Sequence, residues 1–227
     1  MKYKNLLLDA DDTLFIFSKA SSRAFSIMCQ ANGIPDTPEV YQLYHQINEA
    51  LWRAFDRGEI SKEFLVLERY VRFLKELGLD RCPGKCNQDY LTALGQSVFP
   101  LPYSEEVCQE LCRRGHQMYI VTNAVASVQR SRLVKSGFDR WFRGAFISEE
   151  AGASKPSRAY FDYVRAQLPE LTAENCLVIG DSLSSDIKGA NNTGLPCCWF
   201  NPKGQPMREG LHAEYEITDL RQLLDIV

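Results

Sequence analysis

The spacing of hydrophobic positions changes along the chain and predicts an unequal mixture of strands and helices. A short apolar run, Leu6-Leu7-Leu8, is typical of a buried strand and ends at Asp9. In the following segment the apolar positions recur at helical intervals, and no stretch has the pattern of a strand. Pro, Ser and Gly residues mark the ends of four predicted helices in this segment, at 19–31, 38–57, 61–78 and 87–97.

From Ser104 onward helical and strand patterns alternate, which indicates a parallel β-sheet covered by helices, the α/β class. Strands are predicted at 117–122, 144–147, 176–180, 196–200 and 214–217, and helices from Ser104, Ser127, Ser157, Leu183 and Thr218. The helical segment therefore interrupts the α/β pattern. We predict a core domain formed by 1–15 and 101–227 and an inserted helical domain at 16–100, closed by Pro100 and Pro102.

Two carboxylates follow the first predicted strand, in Asp9-Ala10-Asp11-Asp12-Thr13. A carboxylate can attack phosphorus to form an acyl phosphate, and a second one can pass a proton to the leaving group. The same residues also suit an ordinary acidic turn. The residues that follow the later predicted strands distinguish between these two interpretations.

Polar residues also follow the later strands. They are Thr122-Asn123, Lys155 before a helix, Asp181 after Gly180, and Asp186 five residues further on. Each alone is typical of a turn or a helix cap. Because ligands bind at the carboxyl ends of the strands in α/β sheets, we expect these residues to converge with Asp9.

Together these residues supply what phosphoryl transfer requires. Asp9 and Asp181 can bind Mg²⁺ through carboxylate oxygens, and Asp186 can do so through a metal-bound water. Lys155 can offset the charge of the phosphoryl oxygens. The Thr122 hydroxyl and the backbone amides that follow it, beginning with Asn123, can hold further oxygens.

The composition and charge of the chain limit the kinds of molecule that it is expected to bind. A net charge of -3 gives no general attraction to nucleic acid polymers or anionic membranes. The first apolar run is too short for a signal peptide or a membrane span, so we expect a cytoplasmic protein. The eight cysteines lack Cys-x-x-Cys spacing and are expected to be reduced thiols rather than zinc ligands or disulfides.

The motifs Asp9-x-Asp11-x-Thr13, Thr122, Lys155 and Gly180-Asp181-x-x-x-x-Asp186 resemble, in this order, the four motifs of the haloacid dehalogenase (HAD) superfamily. The resemblance implies a Rossmann-like three-layer core, a helical cap, Mg²⁺ and an aspartyl-phosphate intermediate. It also implies that Asp9 is the nucleophile, Asp11 the general acid/base and a ligand through its carbonyl, and Asp181 a magnesium ligand. Thr122 and Lys155 would hold the phosphate. Position 12 is commonly Gly in the family and is Asp12 here.

Three segments resemble one branch of the family, the bacterial pyrimidine 5'-nucleotidases. They are 9–15, 147–156 and Cys198-Trp199-Phe200-Asn201. The branch implies a small phosphorylated metabolite as substrate, a nucleoside 5'-monophosphate. We list as candidate contacts with its leaving group Phe15, Phe17, Trp52, Phe55, Arg57 and Glu59. The alternative is that these side chains pack the core of the helical cap itself.

Other functions stay open. A mutase, or a phosphatase acting on phosphoglycolate or a sugar phosphate, uses the same core residues. A 2-haloacid dehalogenase is disfavoured by Asp11 and Asp181, because that branch usually has Tyr at the first position and needs no metal. A non-catalytic receiver-type module also groups acidic residues, Thr and Lys around Mg²⁺, but its reactive Asp follows a later strand.

Overall fold

The computed structural model describes residues 2–227, apart from the side chain of Asp56. One parallel sheet has the strand order β3-β2-β1-β4-β5-β6. Its strands are β1 (Asn5–Leu8), β2 (Gln117–Thr122), β3 (Phe142–Ile147), β4 (Cys176–Gly180), β5 (Cys197–Phe200) and β6 (Tyr215–Ile217). The predicted α/β class with a Rossmann-like parallel sheet is therefore confirmed.

Most helices begin within two residues of their predicted starts, but the short helix Ser148–Ala151 was not predicted. The helices are α1 (Phe17–Asn32), α2 (Pro38–Asp56), α3 (Lys62–Glu76), α4 (Pro83–Gln96), α5 (Ser104–Arg113), α6 (Ala126–Ser136), α7 (Ser148–Ala151), α8 (Arg158–Gln167), α9 (Lys188–Thr193) and α10 (Leu223–Ile226). Short 3-10 turns span Phe138–Arg140 and Leu220–Gln222. A π-helical turn, Leu183–Ile187, stands where the sequence predicted the start of an ordinary helix.

Hydrophobic layers cover both faces of the sheet. In β1, Leu6 and Leu8 belong to one buried cluster and Leu7 to the other, because successive side chains of a strand point to opposite faces. In β4, Leu177 and Val178 divide between the clusters in the same way. The short apolar runs in the sequence are thus strands buried on both sides, as expected for a parallel sheet.

The chain forms two compact units, a core unit of residues 2–17 and 98–227 and a helical unit of residues 18–97. The domain boundaries predicted from the sequence lie two to three residues away, at 15/16 and 100/101. Within the core unit, backbone hydrogen bonds join the segment that leads into the helical unit to the segment that follows it. Ile16 N–H donates to Phe99 O at 2.8 Å, and Leu101 N–H donates to Leu14 O at 2.8 Å.

Local signals set the ends of the helices in the helical unit. Thr37 and Ser61 accept hydrogen bonds at the starts of α2 and α3. Gly33, after α1, has a φ of 62°, a conformation that glycine adopts without strain. The α4 helix begins at Pro83, four residues before its predicted start, because proline suits the first turn of a helix.

In the part of the chain that the structure describes, no helix combines the length and the apolar character that crossing a bilayer requires.

We expect Gly189→Ala to lower the melting temperature (Tm). A Cβ at this position in α9 would lie 2.5 Å from Phe161 Cε2 and 3.3 Å from Pro156 Cα. Such overpacking costs about 1–3 kcal/mol, most of which lies above the gain of about 0.5–1 kcal/mol from replacing Gly by Ala in a helix. Thermal unfolding measures the change, and Gly144→Ala is the control, since its Cβ would meet Tyr119 at an ordinary 3.9 Å. Equal Tm values for the two variants would contradict the packing argument.

Candidate active site

The candidate site lies at the carboxyl ends of β1 and β4, neighbouring strands at which the strand order reverses direction. Leu8 pairs with Ile179, and Asp9 N–H donates to Ile179 O at 2.8 Å. This register brings Asp9 and Asp181 to the same edge of the sheet, where open α/β sheets bind their ligands. Carboxylate oxygens of Asp9, Asp181 and Asp186 all lie within 4.8 Å of one another.

Asp186 reaches this edge because the chain turns back through the π-helical turn after β4. Its Oδ2 accepts a hydrogen bond from Ser182 N–H at 3.1 Å, and its side chain is buried. A Cβ on Gly180 would lie 2.3 Å from Asp186 Cγ. Glycine at position 180 therefore permits the close approach of the carboxylate to the end of the strand.

Lys155 places a buried ammonium among these carboxylates. Its Nζ donates to Asp9 Oδ1 at 2.6 Å, to Asp186 Oδ1 at 2.7 Å and to Val121 O at 2.7 Å. Burial by itself lowers the pKa of Lys155, but the charges of Asp186 and Asp9 outweigh it and hold the pKa above its ordinary value. Lys155 is thus a fixed cation whose three donors bind groups of the protein.

Asn123 holds the backbone of Lys155 from both sides. Its Nδ2 donates to Lys155 O at 2.9 Å, and Lys155 N–H donates to its Oδ1 at 2.9 Å. Both polar atoms of the Asn123 side chain therefore bind the backbone of Lys155, and this side chain anchors Lys155. The phosphate contact predicted for Asn123 stays a prediction.

Thr122 ends β2 beside the same group of residues and is buried. Its Oγ1 accepts from Ala124 N–H at 3.2 Å, and its backbone N–H donates to the hydroxyl of Tyr160 at 3.0 Å. Tyr160 in turn donates to Phe146 O at 2.6 Å. The hydroxyl of Thr122 therefore lies at the turn that leads into α6, where the sequence predicted a phosphate contact.

Burial and mutual repulsion disfavour ionisation of two of the three carboxyls. Burial, with Asp186 acting in the same direction and Lys155 opposing, raises the pKa of Asp9 to about 7. Burial, followed by the charges of Asp9 and Asp186, raises the pKa of Asp181 to about 8. Three carboxylates beside one ammonium leave two negative charges when all are ionised. This oxygen-only donor set fits a divalent cation such as Mg²⁺.

Asp11 lies at the rim of the site and pairs with a different cation. Its Oδ1 accepts a hydrogen bond from Nη1 of Arg132, on α6, and its side chain is 28% exposed while that of Arg132 is fully buried. Its carboxylate is therefore not in the group of three that the geometry brings together. The predicted metal contact of Asp11 is through its main-chain carbonyl and stays a prediction.

Asp12 occupies a left-handed backbone conformation, with a φ of 58°. Aspartate is one of the few residues other than glycine that tolerate this region. Its Oδ1 also accepts from Phe17 N–H at 3.0 Å, at the start of α1. The departure from the usual Gly at this position is thereby explained.

Arg132 was not among the residues predicted from the sequence, and Phe15 was a candidate contact for the leaving group. Phe15 is fully buried against Phe138, with ring centroids 4.9 Å apart, which favours packing of the interior over that contact. The signal for Arg132 was the spacing of α6, where Gln129 and Arg132 share a buried face with Val128 and Leu133. A polar residue on the apolar face of a helix needs an internal partner.

The chain is similar over nearly its whole length to known hydrolases of one family. Residues 3–194 match the haloacid dehalogenase-like hydrolases. The HAD-hydrolase YfnB of Bacillus subtilis is 35% identical over 100% of this chain and 96% of its own. The pyrimidine 5'-nucleotidases PynA of Streptococcus pneumoniae and YjjG of Escherichia coli are 32% and 30% identical, over 99% and 98% of this chain and 95% and 97% of theirs.

A crystal structure of YfnB bound to magnesium, which reveals interdomain movement, superimposes on this chain with a TM-score of 0.93. The alignment covers 100% of this chain and 99% of YfnB, at 35% identity.

We expect Mg²⁺ to raise the Tm of the protein more at pH 8 than at pH 5. The folded-state pKa values of Asp9 and Asp181, about 7 and about 8, lie above those of an unfolded chain, about 3.9. The stability that these carboxyls contribute in the metal-free protein is therefore present below about pH 4 and lost as the pH rises through 7 to 8. Mg²⁺ binds the ionised form, so its stabilising effect grows over the same interval.

Thermal unfolding with and without Mg²⁺ measures this effect, with Asp181→Asn as the matched variant. Asp181→Asn should reduce both the increment in Tm and its dependence on pH. An increment that is the same at pH 5 and pH 8, or unchanged by Asp181→Asn, would contradict the assignment.

Proposed function

The chain belongs to the haloacid dehalogenase-like hydrolase family, and we propose that it is a magnesium-dependent phosphatase that hydrolyses a nucleoside 5'-monophosphate through an aspartyl-phosphate. The observation that carries the proposal is the ammonium of Lys155 between the carboxylates of Asp9 and Asp186, beside Asp181. A buried site with this charge pattern suits an anionic substrate that binds together with a divalent cation.

The first step uses the two acids that follow β1. One carboxylate oxygen of Asp9 attacks phosphorus, the bond from phosphorus to the leaving oxygen breaks, and Asp11 gives its proton to that oxygen. In the second step Asp11 takes a proton from water as the water oxygen attacks phosphorus. The bond to Asp9 then breaks, and inorganic phosphate and the free carboxylate of Asp9 result.

The other residues hold and balance charge. Lys155 keeps Asp9 oriented through Oδ1 and offsets the negative charge of the phosphoryl group. The Thr122 hydroxyl and the backbone amide of Asn123 would hold phosphoryl oxygens at the end of β2. Asp9, Asp181, Asp186 and the carbonyl of Asp11 would hold Mg²⁺, which supplies a positive charge for the phosphoryl oxygens when it is bound.

Two similarities support the proposal that the substrate is a nucleotide. Two relatives that cover nearly the whole chain are pyrimidine 5'-nucleotidases, and three sequence segments resemble that branch. We propose that the helical unit acts as a cap and selects the leaving group, while the core unit carries out phosphoryl transfer. Phosphoglycolate and sugar phosphates are the competing substrates.

The cytoplasm as location belongs to the same proposal. All eight cysteines are free thiols, including Cys197 and Cys198, which are adjacent and buried. Reduced thiols suit a reducing compartment such as the cytoplasm.

We expect Asp9→Asn to reduce turnover by about 10³-fold or more, because it removes the attacking oxygen but keeps the shape of the side chain. Phosphate release from nucleoside monophosphates, sugar phosphates and phosphoglycolate with Mg²⁺ measures the effect and ranks the substrates. Asp162→Asn is the control, since that exposed carboxylate pairs only with Arg158 on the surface, at 3.8 Å, among the described ion pairs. Near-normal turnover by folded Asp9→Asn would refute the proposal, and a preference for sugar phosphates would refute only the nucleotide assignment.

Asp11→Asn should slow hydrolysis of a nucleoside monophosphate by about 10²–10⁴-fold, the usual range for general acid–base catalysis. The loss with p-nitrophenyl phosphate should be smaller, because its leaving group needs less protonation. Steady-state rates with both substrates give the comparison. Equal losses would contradict the role of Asp11 as proton donor.

A further inference from the structure

Helix α6 carries a polar pair on its buried face, close to Asp11. Arg132 and Gln129 are both fully buried. Nη1 of Arg132 donates to Asp11 Oδ1 and, at 3.3 Å, to Gln129 Oε1. The Cζ atom of Arg132 also lies 4.9 Å from the ring centroid of Phe15.

The charge of Arg132 has a single carboxylate partner among the ion pairs of the described residues, and that partner is Asp11. Within the same part of the chain, Nε and Nη2 of Arg132 and Nε2 of Gln129 have no hydrogen-bond acceptor. A buried guanidinium with so few partners interacts strongly with the one carboxylate it contacts. The orientation of Asp11 is therefore coupled to Arg132 far more than in a surface ion pair.

The guanidinium is also held in place. The ring of Phe15 that it covers belongs to the loop that carries Asp11, and Phe15 N–H donates to Ala10 O at 3.0 Å while Phe15 O accepts from Asp12 N–H at 2.7 Å. Glu149 accepts from Ala126 N–H at 2.7 Å and so fixes the start of α6. The bonds within the loop fix the position of Asp11 and Phe15, and the bond from Glu149 fixes the start of the helix that carries Arg132.

We propose that Arg132 is the positioning residue for Asp11 in the proposed phosphatase reaction. Its Nη1 holds Oδ1, so that the partly exposed carboxylate keeps a fixed direction at the rim of the site. Asp11 exchanges the proton with the leaving oxygen and with water, whereas Arg132 neither gains nor loses one. A loss of this orientation would slow proton transfer without weakening the binding of the phosphate, because Arg132 has no contact with Lys155 or the three grouped carboxylates among the hydrogen bonds described.

The test compares Arg132→Gln and Arg132→Lys with Arg130→Gln. Arg130 lies on the same helix but is exposed and pairs with Glu150, so its variant should leave the rates unchanged. For Arg132→Gln we expect kcat with a nucleoside monophosphate to fall by about 10–100-fold, the effect of a displaced catalytic group. With p-nitrophenyl phosphate kcat should fall by less than about threefold, and KM should change less than about twofold for both substrates.

Two further comparisons separate positioning from a general structural effect. Arg132→Lys retains the charge and should recover part of the rate with the nucleoside monophosphate. In the Asp11→Asn background, Arg132→Gln should cause little further loss, because the two residues act through one step. If Arg132→Gln does not fold, as judged by its Tm, Arg132→Lys provides the test. Its kcat should then fall more with the nucleoside monophosphate than with p-nitrophenyl phosphate, and equal losses would contradict the inference.

The inference would be wrong if the Arg132 variants lost both activities equally, changed mainly KM, or had additive effects with Asp11→Asn. It would also be wrong, with the proposed function intact, if the wild type turned over both substrates, Asp11→Asn showed its selective loss, and the Arg132 variants behaved like Arg130→Gln. Absence of turnover by the wild type with any phosphomonoester would refute the proposed function itself, and this inference with it.

Discussion

The ammonium of Lys155 is the interaction on which the site depends. It joins Asp9 at the end of β1, Val121 O in β2 and Asp186 beyond β4, and so connects three strand ends through one atom. Without a buried cation, three carboxylates within 4.8 Å of one another would be strongly disfavoured in ionised form. Even with it, the pKa values of Asp9 and Asp181 are raised, because burial and repulsion exceed what one ammonium offsets. The same imbalance makes the site suited to a divalent cation and an anionic substrate.

Two carboxylates that are two residues apart receive different environments from the fold. Asp9 continues the line of β1 and is buried against Lys155, whereas Asp11 lies in the loop and is partly exposed against Arg132. Groups of the same chemical type acquire different tasks when their surroundings differ in this way. In the proposed reaction one carboxylate attacks phosphorus and the other moves protons. Their separation depends on two cations from distant parts of the chain, one preceding α8 and one on α6.

All the residues proposed for phosphoryl transfer belong to the core unit. They follow from the parallel sheet, since neighbouring strands present their carboxyl ends at one edge and the reversal of strand order opens a crevice there. The helical unit has its own interior, in which Arg69 is buried against the rings of Tyr70 and Tyr90. In the proposed function, the reaction chemistry belongs to the core unit and the selection of the leaving group to the helical unit, so the two tasks would depend on separate parts of the sequence.

The sequence by itself determined the fold class and the order of the strands and of most helices, because hydrophobic periodicity is a local property. From their places at strand ends it also named Asp9, Asp11, Thr122, Lys155, Asp181 and Asp186 as candidate site residues. The tertiary structure alone decided which charges pair. Asn123 proved to anchor the backbone of Lys155, Phe15 to be buried, and Arg132 to be the partner of Asp11, and none of these follows from local pattern. The π-helical turn that returns Asp186 to the site was likewise hidden, since helical periodicity looks similar over five residues. Pairing of buried charges depends on distances between segments far apart in the chain, and only the packed molecule sets those distances.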